Sequence, residues 1–202
     1  KLQSTVSTPA AIAADASGTG TNHMVTITTT AIATNVDKNE LPSPVKLMEE
    51  LCKMVLIYSR DEGLLMLKWL YKWLDTHDQN FLKSFQLQGG IAKITEFLKA
   101  LINDSNCERK IKTQCFKEAS RIISYVCCDP GDGRNKNTVV KIATDGIEYG
   151  VIATLIKVSK ECSGENDLQR QYALCYTWNA MANITNKFDA IKDTSSKDQM
   201  SG

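Results

Sequence analysis

Histidine is scarce in this 202-residue chain, which has only His23 and His77, and no Cys-x-x-Cys or His-x-x-x-His pair occurs. The spacing of a structural zinc site is therefore missing. Neither sign of charge is in excess: 24 Lys and Arg face 23 Asp and Glu, for a net +1. Such a balance gives no electrostatic reason to expect a nucleic acid or an acidic membrane as partner. No apolar run approaches the ~20 residues that span a bilayer. The glycines of GTGTNH and GDGRNKNT lack the third Gly of a dinucleotide fingerprint and the Gly-Lys step of a P-loop. Asp129 and Asp132 are wrongly spaced for a calcium loop, and no Glu follows at its twelfth position. No metal, cofactor or catalytic residue is expected. The chain starts at Lys1 with neither Met nor a signal h-region, and is expected to be a fragment or a processed product.

Seven cysteines are present: Cys52, Cys107, Cys115, Cys127, Cys128, Cys162 and Cys175. Their odd number, and the place of several on predicted buried helix faces, suit small buried hydrophobes in a reducing compartment, so an intracellular setting, cytoplasmic or nuclear, is expected. The sequons at Asn103 and Asn183 point the other way, but the second falls within a predicted helix. Vicinal Cys127 and Cys128 would be redox-active only if exposed beside Arg121 or Arg134; a packing role is the reading preferred here. His77 lies in DTHDQN beside two carboxylates, a pattern that a helix-end turn explains as well as acid–base chemistry does.

Residues 1–40 hold no aromatic residue, nine Thr and seven Ala. That composition cannot bury enough apolar surface to offset ordering entropy, and a disordered lead is expected. Within it, Met24 to Thr34 alternates like a strand; the scarcity of acids also admits a transit segment, although Arg is lacking. Structure is expected from Leu41, with Ser43 capping a helix that opens at Pro44 and buries Val45, Met48, Leu51, Cys52, Val55 and Leu56. Asp61 is a candidate cap for a helix from Glu62 to about Asp75. LLMLKWLYKWL, Leu64 to Leu74, with Lys68 and Lys72 among its aromatics, could be a calmodulin-type target or a membrane-surface anchor; apolar on nearly every side, it reads rather as core, with those lysines on its wet stripe. A short helix is expected over Gln79 to Gln86, and residues 189–202 read as a flexible tail.

Between these segments the sequence repeats itself. QGGIAKITEFLKAL, Gln88 to Leu101, precedes a partner helix at Glu108 to Cys128; TDGIEYGVIATLIKV, Thr144 to Val158, precedes one at Asp167 to Thr185. Each Gly-Ile pair is expected to open a helix, with Ile91, Ile94, Leu98 and Leu101 lining one and Ile147, Val151, Leu155 and Val158 the other. In the partner helices, Cys115, Ala119, Ile122, Ile123 and Val126 share the spacing of Ala173, Thr177, Ala180, Met181 and Ile184. Small residues at the first two positions let helix axes approach closely. Asp129 to Gly133 is a strong breaker, which with Arg134, Asn135 and Lys136 makes an exposed loop.

A Gly-Ile helix start followed by a helix ending in Asn-Ile resembles the armadillo repeat, over roughly Pro44 to Asn186. The resemblance implies an all-α, right-handed α-solenoid of about three repeats in residues 41–188. Gln79–Gln86 and Asn137–Asp145 would be short first helices, and Pro44–Asp75 the last two helices of an earlier repeat. Armadillo proteins commonly hold extended peptides on Trp and Asn of their third helices. Here Asn183 takes the Asn position and Asn179 the Trp position; one repeat earlier the corresponding places hold Tyr125 and Arg121, so a Trp/Asn ladder is absent. The expected function is a protein–protein interaction scaffold that binds a protein or peptide on a concave face carrying Arg121, Tyr125, Asn179 and Asn183. The alternative is a structural subunit of a larger assembly, packed end-on, since no polar helix caps the array and a continuation or a neighbouring chain would have to cover its ends.

Overall fold

The computed structural model describes residues 42–53, 60–76, 78–128, 134–164 and 167–198, at backbone level only for 48, 51–53, 60 and 188–198. The chain divides between Asp37 and Lys38, and the described residues belong to the second part. The lead, its Met24–Thr34 stretch, His77 and the Asp129–Gly133 breaker lie outside them. Among the described residues the fold is all-α: eight helices and no strand. They are α1 (Pro44–Lys53), α2 (Arg60–Asp75), α3 (Gln79–Leu87), α4 (Gly90–Asn103), α5 (Arg109–Cys127), α6 (Lys136–Glu148), α7 (Val151–Cys162) and α8 (Leu168–Asp198).

Each helix packs on the one three places ahead. α1 meets α4 and α4 meets α7; α2 meets α5 and α5 meets α8; α3 meets α6. The α5–α8 contact is the most extensive, and small side chains make it possible. Ala119, Ser120, Ala173, Thr177 and Ala180 are fully buried. Ser120 and Thr177 meet hydroxyl to hydroxyl at 2.9 Å. The Thr177 hydroxyl already donates to the Ala173 carbonyl at 2.7 Å, so its one proton is used and Ser120 is the donor between them.

The caps recur with the same period. Asp78 accepts from the N–H groups of Asn80 and Phe81 at the start of α3, and Asn135 from those of Asn137 and Thr138 at the start of α6. Each thereby satisfies two of the four N–H groups that a helix start leaves without a partner. At the other end of each unit, Lys112 of α5 donates to the Ile102 carbonyl in the last turn of α4, and Arg170 of α8 donates to the Glu161 carbonyl of α7. A cation at those carbonyls also complements the negative end of the helix dipole. Ser43 caps α1 as its sequence suggests, accepting from the Lys46 N–H at 3.4 Å.

Several expectations are corrected. Gly146-Ile147 does not open a helix; both residues lie inside α6, and the chain turns instead at Gly150, whose φ of 74° precedes Val151. Gly89, with φ 66°, does the same before α4. α6 therefore has thirteen residues against nine in α3: the second copy carries an extra turn, and its glycine at the start of the Gly-Ile pair is free for another use. A Cβ on Gly146 would meet Ile91 Cδ1 at 2.8 Å, so that glycine lets α6 close on α4. Ile147 lies on α6, half-buried, while Val151, Leu155 and Val158 line α7 as expected. Asp61 lies within the first turn of α2, not ahead of it. Val45 is exposed, and Leu47 takes the buried place on α1. α8 runs on to Asp198, so the stretch that reads as a frayed tail past residue 188 is helical as far as that residue. Leu64, Leu67, Leu70 and Leu74 of α2 are buried, with Lys68 and Lys72 exposed.

Candidate functional site

The layer formed by α2, α5 and α8 carries a cluster of aromatic rings and guanidinium groups. Arg121 of α5 stacks on Tyr71 of α2, its Cζ 3.6 Å from the ring centroid, and lies 5.9 Å from the ring of Tyr176 on α8. Glu118, one turn earlier, faces the guanidinium at 3.7 Å. Arg121 keeps 34% of its side chain exposed, so the residue is held by its neighbours and still partly open to solvent. A cation so placed over a ring gains about 0.5–1 kcal/mol at an exposed site.

Tyr125 is held from two sides. Tyr71 meets it edge-on, with centroids 5.8 Å apart at 71°. Arg134 lies over its ring at 4.4 Å and donates to the Tyr125 carbonyl at 2.6 Å. Arg134, expected in an exposed loop, is buried. Its guanidinium closes the C-terminal end of α5 in the way that Lys112 and Arg170 close α4 and α7.

Of the four residues that the sequence marks for partner binding, Arg121 and Tyr125 share this cluster through Tyr71. Asn183 lies across the α5–α8 seam: its Nδ2 donates to the Ser124 carbonyl at 2.9 Å and to Ser124 Oγ at 3.4 Å. That amide nitrogen joins two helices. Asn179 is exposed one turn earlier on α8, its Nδ2 directed at Cys175 Sγ at 3.9 Å. Tyr71, Tyr176 and Arg134 were not legible as members. Tyr71 was absorbed in a helix apolar on all sides, and Arg134 in a loop rich in turn residues.

A cleft of ≈ 400 Å³ lies among the first turns of α5 and α8 and the end of α7, lined by Asp104, Cys107, Lys112, Phe116, Glu161 and Arg170 among others. Its central cations already serve the fold. Lys112 and Arg170 hold helix-end carbonyls, and Lys112 also faces Glu161 at 3.5 Å.

Among the described residues Cys107, Cys115, Cys127 and Cys162 are buried, Cys128 is half-buried and Cys175 is exposed. Burial pushes Cys127 up to about 12, against the pull of Lys187 and Arg134, and pushes Cys115 to about 12 and Cys162 to about 11. A nucleophilic thiol needs the opposite shift. Among the described residues no group of His, Cys, Asp and Glu has a metal-binding arrangement, and no helix is long and apolar enough to cross a membrane. No family, curated protein or solved structure matches the chain.

Proposed function

We propose that the chain is a protein-binding scaffold: a right-handed superhelix of about three armadillo-like repeats that takes an extended segment of another protein across the α2–α5–α8 layer. The packing of every helix on the one three places ahead supports the repeat reading. The single observation that carries the binding reading is Arg121, stacked on Tyr71 and partly open to solvent. Arg and Tyr fixed by their neighbours are the side chains that dominate binding energies, because little rotamer freedom is lost on contact. On α2 and α5 together eight Lys and Arg stand against the four acids Asp61, Glu62, Asp75 and Glu118, which favours a segment carrying carboxylates. Buried thiols such as Cys115 and Cys127 suit an intracellular setting.

A random-peptide library displayed against the chain tests this. Selected peptides are expected to be rich in Asp or Glu and to bind Arg121→Glu at least about tenfold more weakly, the loss of one binding hot spot. The variant should keep its helicity and melt only a few degrees lower, for the lost stack on Tyr71 and the second carboxylate set beside Glu118. Selection of no binder, or binders indifferent to Arg121→Glu, would contradict the proposal.

A further inference from the structure

The outer side of α8 repeats a surface that the fold buries one unit earlier. On α5, the stripe Thr113, Lys117, Ser120, Ser124 and Cys127 faces α8: Lys117 reaches Gln169, Ser120 meets Thr177, and Ser124 accepts from Asn183. In the register that aligns Cys115 with Ala173, the same stripe on α8 is Gln171, Cys175, Trp178, Ala182 and Thr185, and every one of these is exposed. Trp178 is 60% exposed where its counterpart Ser120 is 0%. α7 repeats the contrast: counting from the turn glycines Gly89 and Gly150, Ile156 is 43% exposed where Thr95 is 0%. Trp178 is one of the largest side chains there is, and leaving more than half of it in water forgoes a large apolar burial.

We infer that this face binds a second copy of the chain, α8 against α8 about a two-fold axis. The stripe carries no charged residue from Gln171 to Asn186, so setting it against itself brings no like charges together, as an isologous contact requires. Its residues are also self-complementary in size. An antiparallel pairing centred between Trp178 and Asn179 sets Cys175 opposite the partner's Ala182, and Gln171 opposite the partner's Asn186. Two small side chains then flank each indole, leaving room for it, and two amides close the ends with hydrogen bonds. The face is separate from the Arg121 cluster, which lies on another side of the same layer.

Sedimentation equilibrium of the whole chain tests the inference. Dimers are expected, and Trp178→Glu should weaken them at least about tenfold, with an unchanged helical circular dichroism spectrum. Arg121→Glu should leave the dimer unaltered, which separates this interface from the peptide-binding face. In the Ala182→Cys variant, a mild copper–phenanthroline oxidation with oxygen as acceptor should take two hydrogens from Cys175 and the introduced thiol. A covalent dimer results, and the same treatment of the combination with Trp178→Glu should yield none. A chain that stays monomeric at every concentration, or dimers that ignore Trp178→Glu, would overturn the inference.

Discussion

Gly90→Ala is expected to cost about 3 kcal/mol of folding stability, near the top of the range for overpacking a core. A Cβ at that position would lie 2.2–2.5 Å from three atoms of the Phe85 ring. Phe85 is completely buried, and an aromatic ring enclosed on all sides has no soft end to withdraw. Gly150→Ala makes a useful contrast. No atom lies within 4 Å of the added methyl, and only the left-handed φ of 74° opposes it, for about 1 kcal/mol. Gly146→Ala should fall between, since the nearest atom is the mobile Cδ1 end of Ile91. Urea unfolding of the three variants orders them. Phe85→Leu in the Gly90→Ala background should recover part of the loss, a coupling that a double-mutant cycle measures. Equal losses at Gly90 and Gly150 would mean that the α3–α4 approach is looser than described.

The glycines also show what the sequence could and could not reveal. The pattern Gly-Ile is visible twice, and it led to the expectation of two like helix starts. Yet the first copy places a turn glycine and a close-packing glycine side by side, at Gly89 and Gly90, whereas the second separates them, at Gly150 and Gly146. Both jobs select glycine, one for its backbone and one for its missing side chain. The letter does not say which, so the extra turn of α6 was hidden and the helix start was misplaced. The long apolar helices were easier. Their three- and four-residue spacing is set by burial on one face, and α5 and α2 lie within two residues of their expected limits.

Above pH 9 the fold should lose stability steeply. In the unfolded chain Cys115, Cys127 and Cys162 ionise near their ordinary value of 9.0; in the fold, burial holds them at about 12, 12 and 11. Between about pH 9 and 11 the unfolded chain therefore gives up thiol protons that the folded chain largely retains, Cys162 being the first to let its own go. Fewer protons bound to the unfolded state means that stability falls as pH rises, by about 1.4 kcal/mol per pH unit for each thiol. The three together approach roughly 4 kcal/mol per unit, large against a total of about 5–15 kcal/mol for a domain. The stabilisation is whole below pH 9 and is lost as pH climbs through the folded values. Urea midpoints at about pH 8, 9.5 and 10.5 measure the slope. Cys127→Ala should lower stability at every pH but flatten the alkaline slope by about 1.4 kcal/mol per unit; an unchanged slope would show that this thiol ionises as freely folded as unfolded.

The site was only half legible, for a physical reason. Arg121 and Tyr125 stand one turn apart on one helix, and such neighbours are visible in a sequence. Tyr71 and Tyr176 reach them from α2 and α8, and no local spacing encodes which ring will stack on which cation across helices. Asn183 illustrates the converse. Its place in the repeat motif marked it for a partner, but its amide nitrogen is spent on Ser124, one helix away.

The most direct test of the scaffold reading is an amide chemical-shift footprint of the chain with a library-selected peptide bound. The account predicts perturbations gathered on Tyr71, Arg121, Tyr125 and Tyr176 across three helices, with the outer residues Cys175 and Ala182 unmoved. A footprint confined to the Lys112–Arg170 cleft, or spread evenly over all eight helices, would contradict it.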